Sequence, residues 1–184
     1  MHRMSARAAA LIFLALTGGA LFKSARAQET GRTLTGEFRV HRNFHSRYLK
    51  SDRDVLVYLP PAYEVDRRRR YPVLYLHDGQ NLFDGATSFI RGAEWQVDET
   101  AQRLIGAGEV EPLIVVGVYN AGDRRIDEYT PARDDKHARG GEADRYGRLL
   151  VEDLKPFIEA YDPKTWRSPA DAMATRFYTW EASA

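Results

Sequence analysis

Residues 71–84 read YPVLYLHDGQNLFD, and this stretch decides the fold. Its first half is a short, unbroken apolar run, which is typical of a strand buried on both faces of a partly parallel sheet. Its second half turns polar at His77 and contains Gly79, a residue whose backbone can approach a ligand without a Cβ in the way. In open α/β sheets, ligands bind where a buried strand ends. The stretch therefore predicts a strand followed by a binding loop.

A second apolar run, PLIVVGVY at residues 112–119, predicts another buried strand. Between the two runs, residues 95–105 place apolar side chains at helical spacing, and these are Val97, Ala101, Leu104 and Ile105. A strand, a helix and a parallel strand form a βαβ unit, which is right-handed in nearly all proteins.

The flanking segments extend this sheet. Residues 34–46 and 47–59 alternate imperfectly between apolar and polar, which predicts two antiparallel strands with a turn at residues 51–54. Residues 144–161 predict a helix with an apolar stripe made of Leu149, Leu150, Leu154, Phe157 and Ile158. The fold class is therefore α/β, with a mixed, mostly parallel sheet flanked by helices.

Composition limits the partners that can be expected. Among 184 residues, 27 Lys and Arg balance 26 Asp and Glu, so no bulk electrostatic attraction to nucleic acid or an anionic membrane is predicted. The sequence has no cysteine, which excludes disulfides and thiolate metal sites. His77 and Asp78 lack a third ligand at a suitable spacing, so we expect no metal and no cofactor. A small molecule is the expected partner.

The N-terminus has the pattern of a signal peptide. Arg3 and Arg7 precede an apolar run at residues 8–16, and small residues follow at positions 24–27. The run is shorter than the roughly 20 apolar residues that a membrane helix needs, although an uncleaved anchor is the alternative. We expect a signal peptide at residues 1–27, a periplasmic or secreted protein, and no membrane attachment after cleavage.

Five stretches closely resemble the family called Putative esterase, which includes enterochelin esterase-like proteins and esterase D. They are residues 59–63, residues 77–84, Trp95 followed by Asp98-Glu99, residues 116–120 and residues 125–131. They keep the family's order over residues 36–161. The resemblance implies the α/β-hydrolase fold and ester hydrolysis by a triad of Ser, Asp or Glu, and His. Residues 28–161 would then form the N-terminal part of the esterase domain.

The loop after the third strand of an α/β-hydrolase supplies a backbone N–H to the oxyanion hole. Gly79 and Gln80 are therefore the candidate oxyanion donors, and a plain turn capped by the side chains of Asp78 and Asn81 is the alternative. The candidate substrate-binding residues are His77, Asp78, Asn81, Trp95, Asn120, Arg125, Glu128 and Tyr129. For the last four, fixing the site loops by hydrogen bonds and ion pairs is preferred over direct substrate contact. Trp95 is expected either to line the ester site or to pack in the core.

The nucleophile that the resemblance implies is absent from the sequence. The family's Ser lies in a Gly-x-Ser-x-Gly elbow after a helix like that at residues 144–161, and no such motif occurs among the 184 residues. The acid and the His follow the Ser in the family's chain order. We therefore expect the chain alone to be inactive. Residues 162–184 contain no apolar strand and are interpreted as an aberrant tail, either frameshifted or disordered.

Without the nucleophile strand, the strand at residues 73–76 would have an open edge, which predicts self-association or poor solubility. Three functions remain open: an exported serine carboxylic-ester hydrolase, a non-catalytic binding protein or pseudoenzyme fragment, and one part of an assembly in which another chain supplies the triad. Siderophore, feruloyl and simple acyl esters are all within what the resemblance implies, and the sequence does not choose among them.

Overall fold

The computed structural model describes residues 32–65 and 68–161, so the expected signal peptide and the tail lie outside the described residues. The strands are β1 (Glu37–Phe44), β2 (Arg53–Leu59), β3 (Val73–Leu76), β4 (Ile114–Val118), β5 (Arg133–Asp134) and β6 (Arg139–Gly140). The helices are α1 (Val97–Gly106), α2 (Arg125–Tyr129), α3 (Ala143–Arg148) and α4 (Lys155–Tyr161). A π-helical stretch (Leu149–Leu154) joins α3 to α4, and 3-10 turns lie at Gly79–Asn81 and Gly122–Arg124.

Four strands form the main sheet in the order β1-β2-β4-β3. The pairings of β1 with β2 and of β2 with β4 are antiparallel, whereas β3 and β4 are parallel. The sheet is therefore mixed, as predicted. In the described residues, however, two of its three strand pairings are antiparallel, and one of these arises because the chain turns back directly from β1 into β2. The predicted unit of strand, crossover helix and parallel strand is confirmed as β3-α1-β4. In the described part of the chain, β3 is an edge strand.

The turn between β1 and β2 lies earlier than predicted. Arg53 and Asp54 were expected in the turn, but both belong to β2. Arg53 is only 4% exposed, and its guanidinium binds Glu128, which is 75 residues away in the chain. A charged residue before an apolar run is typical of a turn, so the sequence pattern gives no hint of this distant partner.

Each face of the sheet has its own hydrophobic layer. One face packs Val55, Val57 and Leu59 against the helical segment formed by α3, the π-helical stretch and α4. The other face packs Leu56 and Tyr58 against Leu82, Phe83 and partly buried residues of α1. The predicted stripe is confirmed, since Leu149, Leu150, Leu154 and Ile158 are buried and Phe157 packs against them. Among the described residues, no helix combines the length and apolar character needed to cross a membrane.

The helix predicted over residues 144–161 is not a regular α-helix, because Pro156 interrupts it. Proline lacks the N–H that would bond to the carbonyl of residue 152, and its ring clashes with that carbonyl. The chain responds by widening into the π-helical stretch just before Pro156. The carbonyl of Glu152 accepts a hydrogen bond from Arg47 Nη2 at 3.0 Å instead. A side chain from the loop before β2 thus satisfies a helical carbonyl.

Asp98, in the first turn of α1, is fully buried. Its Oδ2 accepts a 2.6 Å hydrogen bond from the backbone N–H of Thr35, which attaches the segment before β1 to the helix. Burial, reinforced by the neighbouring Glu99 carboxyl, raises the pKa of Asp98 to about 7, although the bond from Thr35 opposes this rise. Folding therefore protonates this carboxyl over a wide pH range.

We expect Asp98→Asn to flatten the pH dependence of stability. In the unfolded chain an Asp has a pKa near ~3.9. The folded state therefore binds more protons above that pH, and the stability linked to Asp98 is lost as the pH rises through about 7. Urea unfolding at pH 5 and pH 8 should show a smaller loss of stability in the variant than in the original chain. Asp135→Asn, at an almost fully exposed carboxylate, is the control. Equal losses in Asp98→Asn and the original chain would contradict the prediction.

Candidate active site

The parallel pairing of β3 with β4 determines where the candidate loop lies. Leu76 pairs with Gly117, so the residues that follow both strands emerge at the same edge of the sheet. Asp78 lies there in the left-handed conformation, with φ 54° and ψ 44°, and precedes the 3-10 turn Gly79–Asn81. A positive φ is uncommon for a residue other than glycine, and such strain is maintained only where the surroundings fix it.

Gly79 is required by the close approach of the loop to β4. A Cβ at Gly79 would lie 2.6–2.8 Å from backbone atoms of Gly117 and Val118, and a Cβ at Gly117 would meet Phe83 at 2.7 Å. Gly79 was expected to allow the approach of a ligand, but the neighbouring strand already requires a glycine at this position. The first N–H groups of a helical turn have no acceptor within that turn. Gly79 and Gln80 are the first two residues of the 3-10 turn, so their N–H groups have no acceptor within it.

The Asp78 carboxylate is held by residues from two other parts of the chain. Arg125 donates from Nε to Oδ1 at 2.9 Å and from Nη2 to Oδ2 at 2.8 Å. Asn120 Nδ2 donates to Oδ1 at 2.6 Å, and Tyr129 Oη lies 3.5 Å from the same oxygen. Burial alone would raise the pKa of Asp78, but the hydrogen bonds from Arg125 and Asn120 outweigh it and lower the pKa. The carboxylate therefore stays ionised near neutral pH.

His77 lies against two tyrosines. Its Nδ1 is 2.9 Å from the hydroxyl of Tyr146, and the rings of Tyr129 and Tyr146 have centroids 4.8 Å apart. Burial lowers the pKa of His77, so the imidazole is neutral near pH 7. Burial also raises the pKa of Tyr129 to about 12. These three side chains form an uncharged aromatic wall beside the ion pair of Asp78 and Arg125.

Glu128 does not line the site. Both its side chain and that of Arg53 are fully buried, and the guanidinium donates to both carboxylate oxygens, at 2.8 and 3.2 Å. Direct contact with a substrate is therefore excluded for Glu128 in this conformation. It ties α2 to β2 and so supports Arg125, its neighbour on α2.

The remaining candidates organise the loop itself. Gln80 Oε1 accepts the Asn120 N–H at 3.2 Å, and Asn81 Oδ1 accepts the Phe89 N–H at 2.8 Å. The Asn81 carbonyl accepts the Trp95 N–H at 2.8 Å. The Trp95 side chain is 59% exposed, so the expectation that it packs in the core is wrong. The alternative of a turn capped by Asp78 and Asn81 fails for Asp78, which caps no N–H of the turn, whereas the Asn81 side chain does accept a loop N–H.

Two residues that support the site were missed by the sequence reasoning. Arg53 was placed in a turn, and no local signal reveals its distant partner. Tyr146 lies three and four residues before Leu149 and Leu150, so helical spacing could have added it to the buried stripe. Within residues 32–65 and 68–161, no group of three or more His, Cys, Asp or Glu side chains could hold a metal ion.

A mixed sheet with helices on both faces, and a tightly held loop at the carboxyl ends of its parallel strands, defines an α/β-hydrolase-type fold. The family model described as Putative esterase matches residues 46–169, which is more than half of the chain, and the chain belongs to this family.

Solved structures share this fold. An IroE-like serine hydrolase from Shewanella oneidensis is 26% identical, with a TM-score of 0.56 over 70% of this chain and 40% of that one. A siderophore hydrolase, EstA from Aspergillus nidulans, is 20% identical, with a TM-score of 0.52 over 71% of this chain and 46% of that one. The chain thus spans less than half the length of either structure.

A separate, local similarity covers a short stretch. The chain is 59% identical over 34 residues to an uncharacterised protein of Streptomyces coelicolor, which is 18% of this chain and 31% of that protein. A match of this extent does not bear on the fold of the sheet.

Gly79→Ala is expected to destabilise the protein by about 1–3 kcal/mol, because the added methyl group has no space beside the backbone of β4. Gly147→Ala is the matched control, since a Cβ there meets nothing within 4 Å. In the helix, that change should stabilise the protein by roughly 0.5–1 kcal/mol. Urea unfolding of both variants measures the difference, and equal effects would show that the approach to Gly117 is not tight.

Arg125→Ala is expected to raise the pKa of Asp78 and to cost about 1–3 kcal/mol of stability, because a buried carboxylate loses two charge-assisted hydrogen bonds. A carboxyl carbon NMR titration reports the pKa, and urea unfolding reports the stability. Arg148→Ala, which breaks an exposed pair with Glu152, should leave the Asp78 pKa unchanged and cost less stability than Arg125→Ala. An unchanged Asp78 pKa in Arg125→Ala would contradict the role assigned to the pair.

Proposed function

We propose that the protein is a serine-type carboxylic-ester hydrolase and that residues 77–81 supply its oxyanion loop. The observation that carries this proposal is the rigid attachment of Asp78, through Arg125 and Asn120, directly before the N–H groups of Gly79 and Gln80. Membership of the Putative esterase family supports the same reaction.

In ester hydrolysis, a serine oxygen attacks the carbonyl carbon, a histidine takes the serine proton, and negative charge develops on the carbonyl oxygen. N–H donors that are already oriented stabilise this charge without reorganising during the reaction. The Asp78 pair provides that orientation, because it fixes the left-handed residue from which the turn begins. The nucleophile, the acid and the base would belong to the part of the relatives' length that this chain does not span.

The surroundings of the loop favour a substrate that is uncharged where it reacts. His77 is neutral, and Tyr129 and Tyr146 keep their protons. The two cations nearby are both paired, Arg125 with Asp78 and Arg53, over the Tyr146 ring, with Glu128. Siderophore, feruloyl and simple acyl esters all remain candidates, and the siderophore hydrolase among the structural relatives supports including the first. We also propose export to the periplasm or medium, on the pattern of residues 1–27.

The DNA that follows codon 161, read in all three frames, provides the first test. In one of the reading frames, we expect a strand and a Gly-x-Ser-x-Gly elbow within a few tens of codons. The product extended through that elbow should hydrolyse p-nitrophenyl butyrate and lose activity after treatment with a serine-directed phosphonate. The 184-residue chain should show no turnover beyond the small effect of an oxyanion hole without its nucleophile.

The extended product with alanine in place of the motif serine is the control for contaminating esterases. A folded extended product that contains the motif but releases no p-nitrophenol would refute the proposed function. If the 184-residue chain itself hydrolysed the ester, the proposal that its triad lies elsewhere would be wrong.

A further inference from the structure

Three exposed apolar residues lie on one loop, residues 85–95, which connects the candidate oxyanion loop to α1. Phe89 is 87% exposed, Ile90 is 67% exposed and Trp95 is 59% exposed. Other large apolar side chains that are exposed in the described residues do not share such a loop, and they are Val40, Val65, Val110, Ile126, Val151 and Tyr161. Single exposed apolar residues are normal, whereas a group of them indicates binding.

The 85–95 loop has a fixed shape. The Gly92 N–H donates to the carbonyl of Gly85 at 2.8 Å, and the hydroxyl of Ser88 donates to the carbonyl of Ala93 at 2.7 Å. The Ala93 N–H donates to the carbonyl of Ile90 at 2.9 Å. Because these bonds cross the loop, Phe89 and Ile90 are displayed by an ordered backbone. The loop backbone therefore fixes where Phe89 and Ile90 emerge from it.

The 85–95 loop is also bonded to the two residues that follow Gly79. Asn81 accepts the N–H of Phe89 on its side chain and the N–H of Trp95 on its carbonyl, both at 2.8 Å. The hydroxyl of Thr87 donates to the carbonyl of Gln80, also at 2.8 Å. The backbone that carries the apolar side chains is therefore attached directly beside the N–H groups that are proposed to bind the carbonyl oxygen.

We propose that Phe89, Ile90 and Trp95 form the subsite for the apolar acyl group of the ester, so that the protein selects esters with extended apolar acyl groups over those with short ones. This inference rests on the proposed function, because it is the carbonyl site that the subsite adjoins. Phe89 and Ile90 offer only carbon surface, which suits an alkyl chain or an aromatic ring. The direct bonds to Asn81 and Gln80 favour a substrate group over a separate partner.

Phenyl ketones test the subsite on the 184-residue chain, because they keep the carbonyl and cannot be hydrolysed. Isothermal titration calorimetry should show that hexanophenone binds roughly tenfold more tightly than acetophenone, since each fully buried methylene adds up to about a fourfold gain. The double substitution Phe89→Ser with Ile90→Ser should reduce this ratio to about one. Val65→Ser, at an 83% exposed residue in the turn after β2, should leave the ratio unchanged.

Four other outcomes of these experiments would overturn the inference. Equal affinities for the two ketones, no binding of hexanophenone, or a ratio that survives the double substitution would each exclude the subsite. A fall in oligomer mass on the double substitution, measured by light scattering, would assign the surface to contact between copies of the chain. None of these results bears on ester hydrolysis by the extended product, so the proposed function is judged separately by that assay.

Discussion

The carboxylate of Asp78 joins three parts of the chain that are remote in sequence. It follows β3, it accepts a hydrogen bond from Asn120 after β4, and it is clamped by Arg125 of α2. A buried carboxylate without partners is strongly unfavourable, so this residue is tolerable only when both partners are in place. The left-handed turn at Asp78 therefore depends on the assembled sheet edge, and the candidate loop acquires its shape only with the rest of the fold.

The short helix α2 takes part in two long-range ion pairs of opposite polarity. Arg125 presents a cation to the loop after β3, while Glu128, one turn later, presents an anion to Arg53 of β2. A helix of five residues is not stable in isolation, because the few hydrogen bonds it contains do not offset the entropy of its nucleation. Its presence is explained by these two attachments together with the packing of Tyr129 against Tyr146.

Local periodicity predicted β3, α1 and β4, and the rule that ligands bind at the carboxyl ends of strands placed the candidate residues at one edge. The features that were not predicted depend on distant partners. Arg53 was assigned to a turn because its ion pair with Glu128 cannot be seen in local sequence. The π-helical stretch follows from Pro156, whose effect depends on Arg47 reaching the freed carbonyl. The backbone of Trp95 is attached to Asn81, and this contact cannot be seen in local sequence either.

The π-helical stretch also sets the rotational phase of the helix on either side of it. Tyr146 and Ile158 are twelve residues apart, and in a continuous α-helix their side chains would point about 120° away from each other. The wider stretch absorbs roughly one residue of rotation, which brings the two directions to within about 20°. One helical face can then bury Ile158 under the sheet and still direct Tyr146 at His77. A helix of uniform pitch could not place both side chains on that face, so either Ile158 would leave the core or Tyr146 would leave the aromatic wall beside His77.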